Sequence, residues 1–186
     1  ETLVLAIGHS ARDTFQMLKE RGVHMEPKPF AMGVRVEHPQ ELIGYNQYGD
    51  LYQKLPTAEY KLTYTTELGR GVYSFCMCPG GVIVNASSEL NTSLVNGMSY
   101  SQRDGRFSNS AIVVGVKEND FGSHLFAGME FQEKLERKTY ELGQGYGALY
   151  QGVLDFMNNK KTTYEIESSY EMKKTSYNLN DFFPEV

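Results

Sequence analysis

Cysteine is scarce in this sequence. Its 186 residues carry two, one residue apart in the stretch FCMCPGG from Phe75 to Gly81. Two thiols build no disulfide framework, and the C-x-C spacing is too tight for an ordinary bridge between strands. A reducing, cytoplasmic setting is the simplest expectation. Basic excess is also missing, since 18 Lys+Arg face 23 Asp+Glu for a net charge of −5. Binding nucleic acid would need a clustered basic surplus, so no such partner is expected. The richest basic cluster, Lys160-Lys161 with Lys173-Lys174 further on, is interleaved with acids and reads as solvated surface. No apolar run approaches the ~20 residues of a membrane helix, and no membrane partner is expected. There is no internal repeat and no low-complexity tract. The opening ETLVLAIG lacks an initiator Met, a basic n-region and a small-residue cleavage site, so it does not read as a signal peptide. It leads directly into a hydrophobic strand with nothing to pair with, which predicts a piece cut from a longer chain.

What is present suits one domain, or a main domain with a small subdomain, with 40% hydrophobic and 12% aromatic residues to build a core. Thr2 to Ile7 is a continuous apolar run, the pattern of a strand covered on both faces. Gly8-His9 reads as a tight turn, Ser10 as a helix N-cap with Asp13 at the capping-box position, and Gly22 as the C-cap. Ala11, Phe15 and Leu18 share a helical face. Beyond Pro27 and Pro29 the period changes to two. Phe30, Met32, Val34 and Val36 alternate on one face of a strand, and Pro39 starts a short helix. Tyr60 to Tyr64 alternates again, and Gly69-Arg70-Gly71 is a turn. Val72 to Cys78 and Val82 to Ser88 are expected to pair through the turn Pro79-Gly80-Gly81. Leu94 to Met98 and Ala111 to Val116 are further strands. Leu125 to Leu142 is helical, with a Glu133–Arg137 i,i+4 pair, and a short helix is expected over Val153 to Met157. Leu179 to Pro184 reads as the start of another. The fold class is therefore α+β: a mostly antiparallel sheet or small barrel with a few helices, plus an incomplete α/β edge at the N-terminal end.

Several stretches carry candidate chemistry. On a regular strand Ser74, Cys76 and Cys78 point one way and Tyr73, Phe75 and Met77 the other. The thiols are then a metal site, a redox pair, or small groups on a crowded sheet face. Zinc needs about four ligands, and C-x-C is not among its usual pairs, so no metal is expected. The packing role is favoured, on a face that still lines a pocket. Gly8-His9-Ser10 lies between strand and helix, where free N–H groups commonly meet anions, although the full G-x-G-x-x-G pattern is absent. His9 either donates to a ligand or is satisfied by backbone. Arg12 and Asp13 read as no more than a cap and a surface pair. Arg35 and Glu37 share a strand face, as a pocket pair or, preferred, an exposed ladder, with His38 beside them. Asn96-Gly97-Met98-Ser99-Tyr100-Ser101, followed by Arg103-Asp104-Gly105, is a dense polar loop. No Ser/His/Asp order, paired-carboxylate spacing or P-loop stands out.

Taken together, LVLAIGHSARDTF, KPFAMGVRVEHPQELI, GRGVYSFCMCPGGVIVNASSE and VNGMSYSQRDG resemble the middle of a family of bacterial FAD-dependent dehydrogenases, often described as NAD- or FAD-utilising. The resemblance covers nearly all of the chain. It implies that Ala6-Ile7-Gly8 stands where flavoproteins of this type return a strand to the cofactor. It implies residues 1–27 as part of a truncated FAD-binding Rossmann-like domain, 28–161 as a β-rich inserted substrate domain, and 162–186 as the return segment. The parent would bind FAD, with NAD(P)H as electron donor, and act as an oxidoreductase on an unknown small molecule. The remainder of its own FAD domain would be this chain's partner, and the isolated chain would bind FAD weakly or not at all. Gly8, His9, Ser10, Pro79, Gly80 and Gly81 are then expected at the cofactor, the glycines permitting close approach. Arg35, His38, Asn96, Ser99 and Arg103 are expected at the substrate, and Cys76 and Cys78 are the candidates for catalysis. The alternative is a non-enzymatic β-rich domain holding a peptide or small molecule.

Overall fold

The computed structural model describes residues 2–183; Glu1 and residues 184–186, including the Pro184 that ends the stretch expected to start a last helix, lie outside them. In chain order the elements are α1 (Arg12–Glu20), β1 (Phe30–Pro39), α2 (Gln40–Tyr48), a 3-10 turn (Gly49–Lys54), β2 (Thr63–Thr65), β3 (Gly71–Cys78), β4 (Gly81–Asn85) and β5 (Val95–Ser99). They continue with β6 (Phe107–Val116), α3 (Glu118–Phe121), α4 (Ala127–Gly143), β7 (Ala148–Tyr150), α5 (Val153–Met157), β8 (Lys174–Ser176) and a 3-10 turn (Leu179–Asp181). The main sheet is antiparallel in the order β1-β6-β3-β2, and β4-β5 and β7-β8 are separate two-stranded pairs. This is an α+β domain. Its sheet is open, with β1 and β2 as edges, so the barrel form of the expectation does not hold for the described residues.

The ten-residue register from Phe30↔Val116 to Pro39↔Phe107 sorts the main sheet into two faces. Phe30, Met32, Val34, Ile112, Val114 and Val116 look toward α4. Phe30 stacks on Phe121 with ring centroids 5.4 Å apart and meets Phe131 at 6.3 Å. Val116 is 1% exposed, and burying a side chain of that size contributes about 2 kcal/mol. Along this face runs an apolar cleft of about 330 Å³ lined by Met32, Val34, Ile112, Phe131, Phe156 and Phe183, among others. The opposite face carries Arg35, Glu37 and Asn109, and against it lies the β4-β5 ribbon.

Four sequence expectations change. Thr2 to Ile7 joins no ladder among the described residues, as expected of a run with nothing to pair with, but it is not a strand covered on both faces: Leu3 and Val4 are each 82% exposed. The α/β edge is therefore an extended segment followed by a helix. At α1 the N-cap is Ala11, not Ser10, with no side-chain cap; Asp13 accepts from the Thr14 N–H at 2.7 Å instead. The other end follows expectation: Gly22, at φ 75°, donates to the Lys19 carbonyl while Val23 donates to that of Leu18, a Schellman motif. Arg12, expected as a surface residue, is buried. Its Nη1 and Nη2 bond Glu136 at 3.1 and 2.9 Å and Nη1 bonds Glu89 at 3.0 Å, fastening α1 to α4. Finally, β3 and β4 do not pair. Past Pro79 the chain crosses from the main sheet to the ribbon, because the Gly80 N–H donates to Ser108 Oγ at 2.8 Å and its carbonyl accepts from Gly105 at 3.1 Å. Those bonds replace a hairpin ladder.

Candidate functional site

The thiols come first, because the strand that holds them is irregular. The β3–β6 register steps from Phe75↔Ala111 to Cys78↔Asn109, three residues against two. The extra residue is a β-bulge, and Cys76 carries it with φ at 50°. A non-glycine residue in this left-handed region costs about 1–2 kcal/mol. The bulge resets the alternation, so Ser74 stays on the apolar face while Cys78 moves to the face of Phe75, Asn109 and Arg35. The expectation that Ser74, Cys76 and Cys78 share a face is thus overturned. The two thiols occupy different surroundings: Cys76 is exposed and Cys78 is buried. Burial raises the Cys78 thiol pKa, with the Arg35 charge pulling the other way and the proximity of Cys76 adding to the rise. The Cys78 thiol is 3.4 Å from the Cys76 carbonyl.

That carbonyl, on a residue without a ladder partner, helps hold Arg35. Arg35 Nη1 donates to Asn109 Oδ1 at 2.6 Å and to the Cys76 oxygen at 3.4 Å, with Cys78 Sγ at 4.0 Å. Nη2 donates to Asn96 Oδ1 at 3.0 Å. Gly97 makes room for this arrangement, since a Cβ there would overlap Arg35 Nη1 and Asn109 Oδ1 and displace them. Glu37 does not neutralise Arg35; its carboxylate accepts from the Ser169 N–H at 3.1 Å and from the Ser169 hydroxyl. The preferred reading of Arg35 and Glu37 as an exposed ladder is therefore replaced by two separate, engaged side chains. Asn109 is wholly buried, and its Nδ2 has no partner among the described residues.

The structure brings Arg35, Asn96 and Cys78 together, with Ser99 alongside through its hydroxyl bond to the Pro79 carbonyl at 2.8 Å. It does not bring His38 to them. His38 lies on the other sheet face, where its Nε2 pairs with Tyr60 OH at 3.0 Å. Burial raises the Tyr60 pKa, opposed by a Ser110 hydrogen bond and the Arg35 charge. Arg103 sits in the loop, 3.7 Å from Glu59, and is half exposed. Asn109 was missed from the sequence, although Ser108-Asn109-Ser110 is an unusual polar run inside a strand and all three are buried.

Two turns were expected at the cofactor, and they fare differently. Pro79, Gly80 and Gly81 are buried, and the room their glycines leave is filled by this chain: a Cβ on Gly80 would overlap the Arg103 carbonyl and one on Gly81 that of Met98. This turn is therefore packed against its own protein. Gly8-His9-Ser10 is the more open of the two. Gly8 and His9 are exposed, nothing lies within 4 Å of a Cβ at Gly8, and no side chain caps α1. Among the described residues, no group of three or more His, Cys, Asp or Glu is placed to hold a metal ion, and no helix is long and apolar enough to cross a membrane.

Comparison with known proteins gives this geometry a setting. An uncharacterized protein of Clostridium beijerinckii is 51% identical over 197 residues, an alignment that takes in 100% of this chain and 37% of that relative. The chain thus spans little more than a third of the relative's length. The family model described as FAD-dependent protein, C-terminal domain-like, matches residues 29–186. Since that match covers most of the sequence, the chain belongs to the FAD-dependent protein, C-terminal domain-like family.

Proposed function

We propose that this chain is the substrate-side domain of a larger FAD-dependent oxidoreductase. The observation that carries the reading is the Arg35 cluster: a cation oriented by Asn109, Asn96 and the Cys76 carbonyl, beside exposed Phe75 and Cys76, in a domain of an FAD-dependent family. FAD, when bound, would supply hydride chemistry, leaving binding and orientation to the protein. In this reading residues 1–27 belong with the FAD-binding part, and Gly8-His9-Ser10 meets an anionic portion of the cofactor. Residues 28–161 form the substrate domain and 162–186 return toward the cofactor; the family match beginning at residue 29 supports the first of these divisions.

The partner is the rest of the same polypeptide. Leu3, Val4, Leu5 and Ile7 on the N-terminal segment and Leu154 and Met157 on α5 present apolar surface that a further domain would cover. Cys76 and Cys78 line the site. Their unequal burial argues against a symmetric dithiol pair, and Cys76 is the thiol within reach of a ligand.

The test is the full-length parent. It should purify yellow with a flavin spectrum, and NADH or NADPH should bleach it, while the 186-residue chain alone stays colourless. A parent that purifies without flavin and cannot be reconstituted would refute the reading and leave the non-enzymatic binding domain in its place.

A further inference from the structure

Arg35 differs from most arginines of this protein in what surrounds it. Arg12, Arg70, Arg103, Arg106 and Arg137 each lie within ion-pair distance of a carboxylate. Among the described residues Arg35 has none, and every partner of its guanidinium is a neutral acceptor. Its neighbours do not supply a negative charge either. Glu37 is committed to Ser169, and Cys78 is buried, with a thiol held toward its neutral form. The side chain is nevertheless fixed at three points and wedged against Gly97, so its orientation is set before any ligand arrives. Of its five N–H donors, the bonds on Nη1 and one on Nη2 are used, which leaves Nε–H and one Nη2 hydrogen without a protein partner. A guanidinium edge of this kind matches the two oxygens of a carboxylate.

The surface beside it is apolar. Arg35, Ala111 and Phe75 stand in one cross-strand row on the same sheet face, and Phe75 is 60% exposed. An anion carrying a flat apolar body would meet both groups at once.

We infer that Arg35 anchors the carboxylate of an organic acid substrate whose apolar body lies over Ala111 and Phe75. This rests on the proposed role as a substrate domain and names the class of molecule that the domain accepts.

The experiment is calorimetric titration of the full-length protein with sodium benzoate and with benzamide, its neutral counterpart, at constant ionic strength, with pyrophosphate as a third ligand. Benzoate should bind and benzamide should not. Arg35→Gln should weaken benzoate by about tenfold to a hundredfold, the range expected for a lost charge-assisted contact. Arg35→Lys, which keeps the charge and loses the fork, should fall between. Equal binding of benzoate and benzamide, no benzoate binding at all, or unchanged affinity in a folded Arg35→Gln protein would overturn the inference. So would pyrophosphate binding that depends on Arg35 while benzoate binding does not, because Arg35 would then serve phosphate groups of the cofactor. Should Arg35→Gln fail to fold, the comparison of benzoate with benzamide on the unaltered protein still decides. Arg35-dependent benzoate binding to a parent that holds no flavin would support the anchor and remove the oxidoreductase reading, so the two fail separately.

Discussion

Replacing Arg12 by Met should detach α1 from the rest of the domain. The wild-type side chain is 8% exposed and makes three charge-assisted hydrogen bonds, two to Glu136 and one to Glu89. Few other contacts secure this end of the chain. Residues 2–11 form no ladder, and Phe15 and Leu18 are only half-buried. The Lys19 ammonium adds a contact 5.1 Å from the Phe126 ring. Methionine keeps much of the apolar stem but strands two carboxylates whose side chains are 14% and 28% exposed. Breaking a fully buried ion pair costs about 3–5 kcal/mol, and the partial exposure of Glu89 places this one near about 3 kcal/mol. For a chain of this length that corresponds to a fall in Tm of roughly 6–12 °C if the loss is global. If α1 opens alone, the same energy appears as faster amide exchange from Phe15 to Arg21, with urea unfolding of the core unchanged. The cause is separable by a second substitution. Glu136→Gln in the Arg12→Met background removes one stranded charge and should recover about half of the loss. The reasoning is refuted if Arg12→Met costs less than about 0.5 kcal/mol by both measurements, or if adding Glu136→Gln makes the protein weaker still.

Three other outcomes follow from local geometry. Asp120 accepts two hydrogen bonds from Arg70, which together with the Lys117 backbone N–H hold its carboxyl at about 2. Because that lies below its unfolded value of ~3.9, its contribution to stability is present above about pH 4 and is lost as pH falls toward 2; Asp120→Asn should flatten acid unfolding in that window. Iodoacetamide should give the native protein one adduct, at Cys76, and modification of Cys78 first would contradict the assigned burial. Cys76→Gly should stabilise the chain by up to about 1 kcal/mol in urea unfolding, relief of the left-handed strain being set against the entropy of a freer unfolded chain.

Local pattern made much of the architecture legible. The alternation of Phe30, Met32, Val34 and Val36 names the apolar face of β1, and the stripe of Phe131, Leu135 and Leu142 names α4 together with its Glu133–Arg137 pair. What escaped were choices made by distant partners. Pro79-Gly80-Gly81 announces a turn, but whether the next strand folds back or crosses over is decided by Ser108, Gln40 and Gly105, more than twenty residues from Gly80 in either direction. Ser108, Asn109 and Ser110 look like surface until their partners are known. The pair β7-β8 is three residues on each side, and Lys174-Thr175-Ser176 carries no strand signature. The opening apolar run has the composition of a strand and, as its lack of a partner in the sequence predicts, joins no ladder among the described residues.

The bulge at Cys76 joins the two largest departures from that reading. Left-handed backbone is signalled in a sequence by Gly or Asn, and a cysteine there gives no such sign. Yet this one inserted residue does two things. It transfers Cys78 to the polar face, and it carries a carbonyl without a ladder partner within hydrogen-bond distance of Arg35. Backbone strain of this kind persists only where surrounding contacts enforce it, and it collects at sites that use the geometry. The residues that benefit here are those holding a cation with no carboxylate partner among the described residues. The strained backbone at Cys76 and an Arg35 charge with no carboxylate partner among the described residues meet at one carbonyl, and the proposed binding site accounts for both.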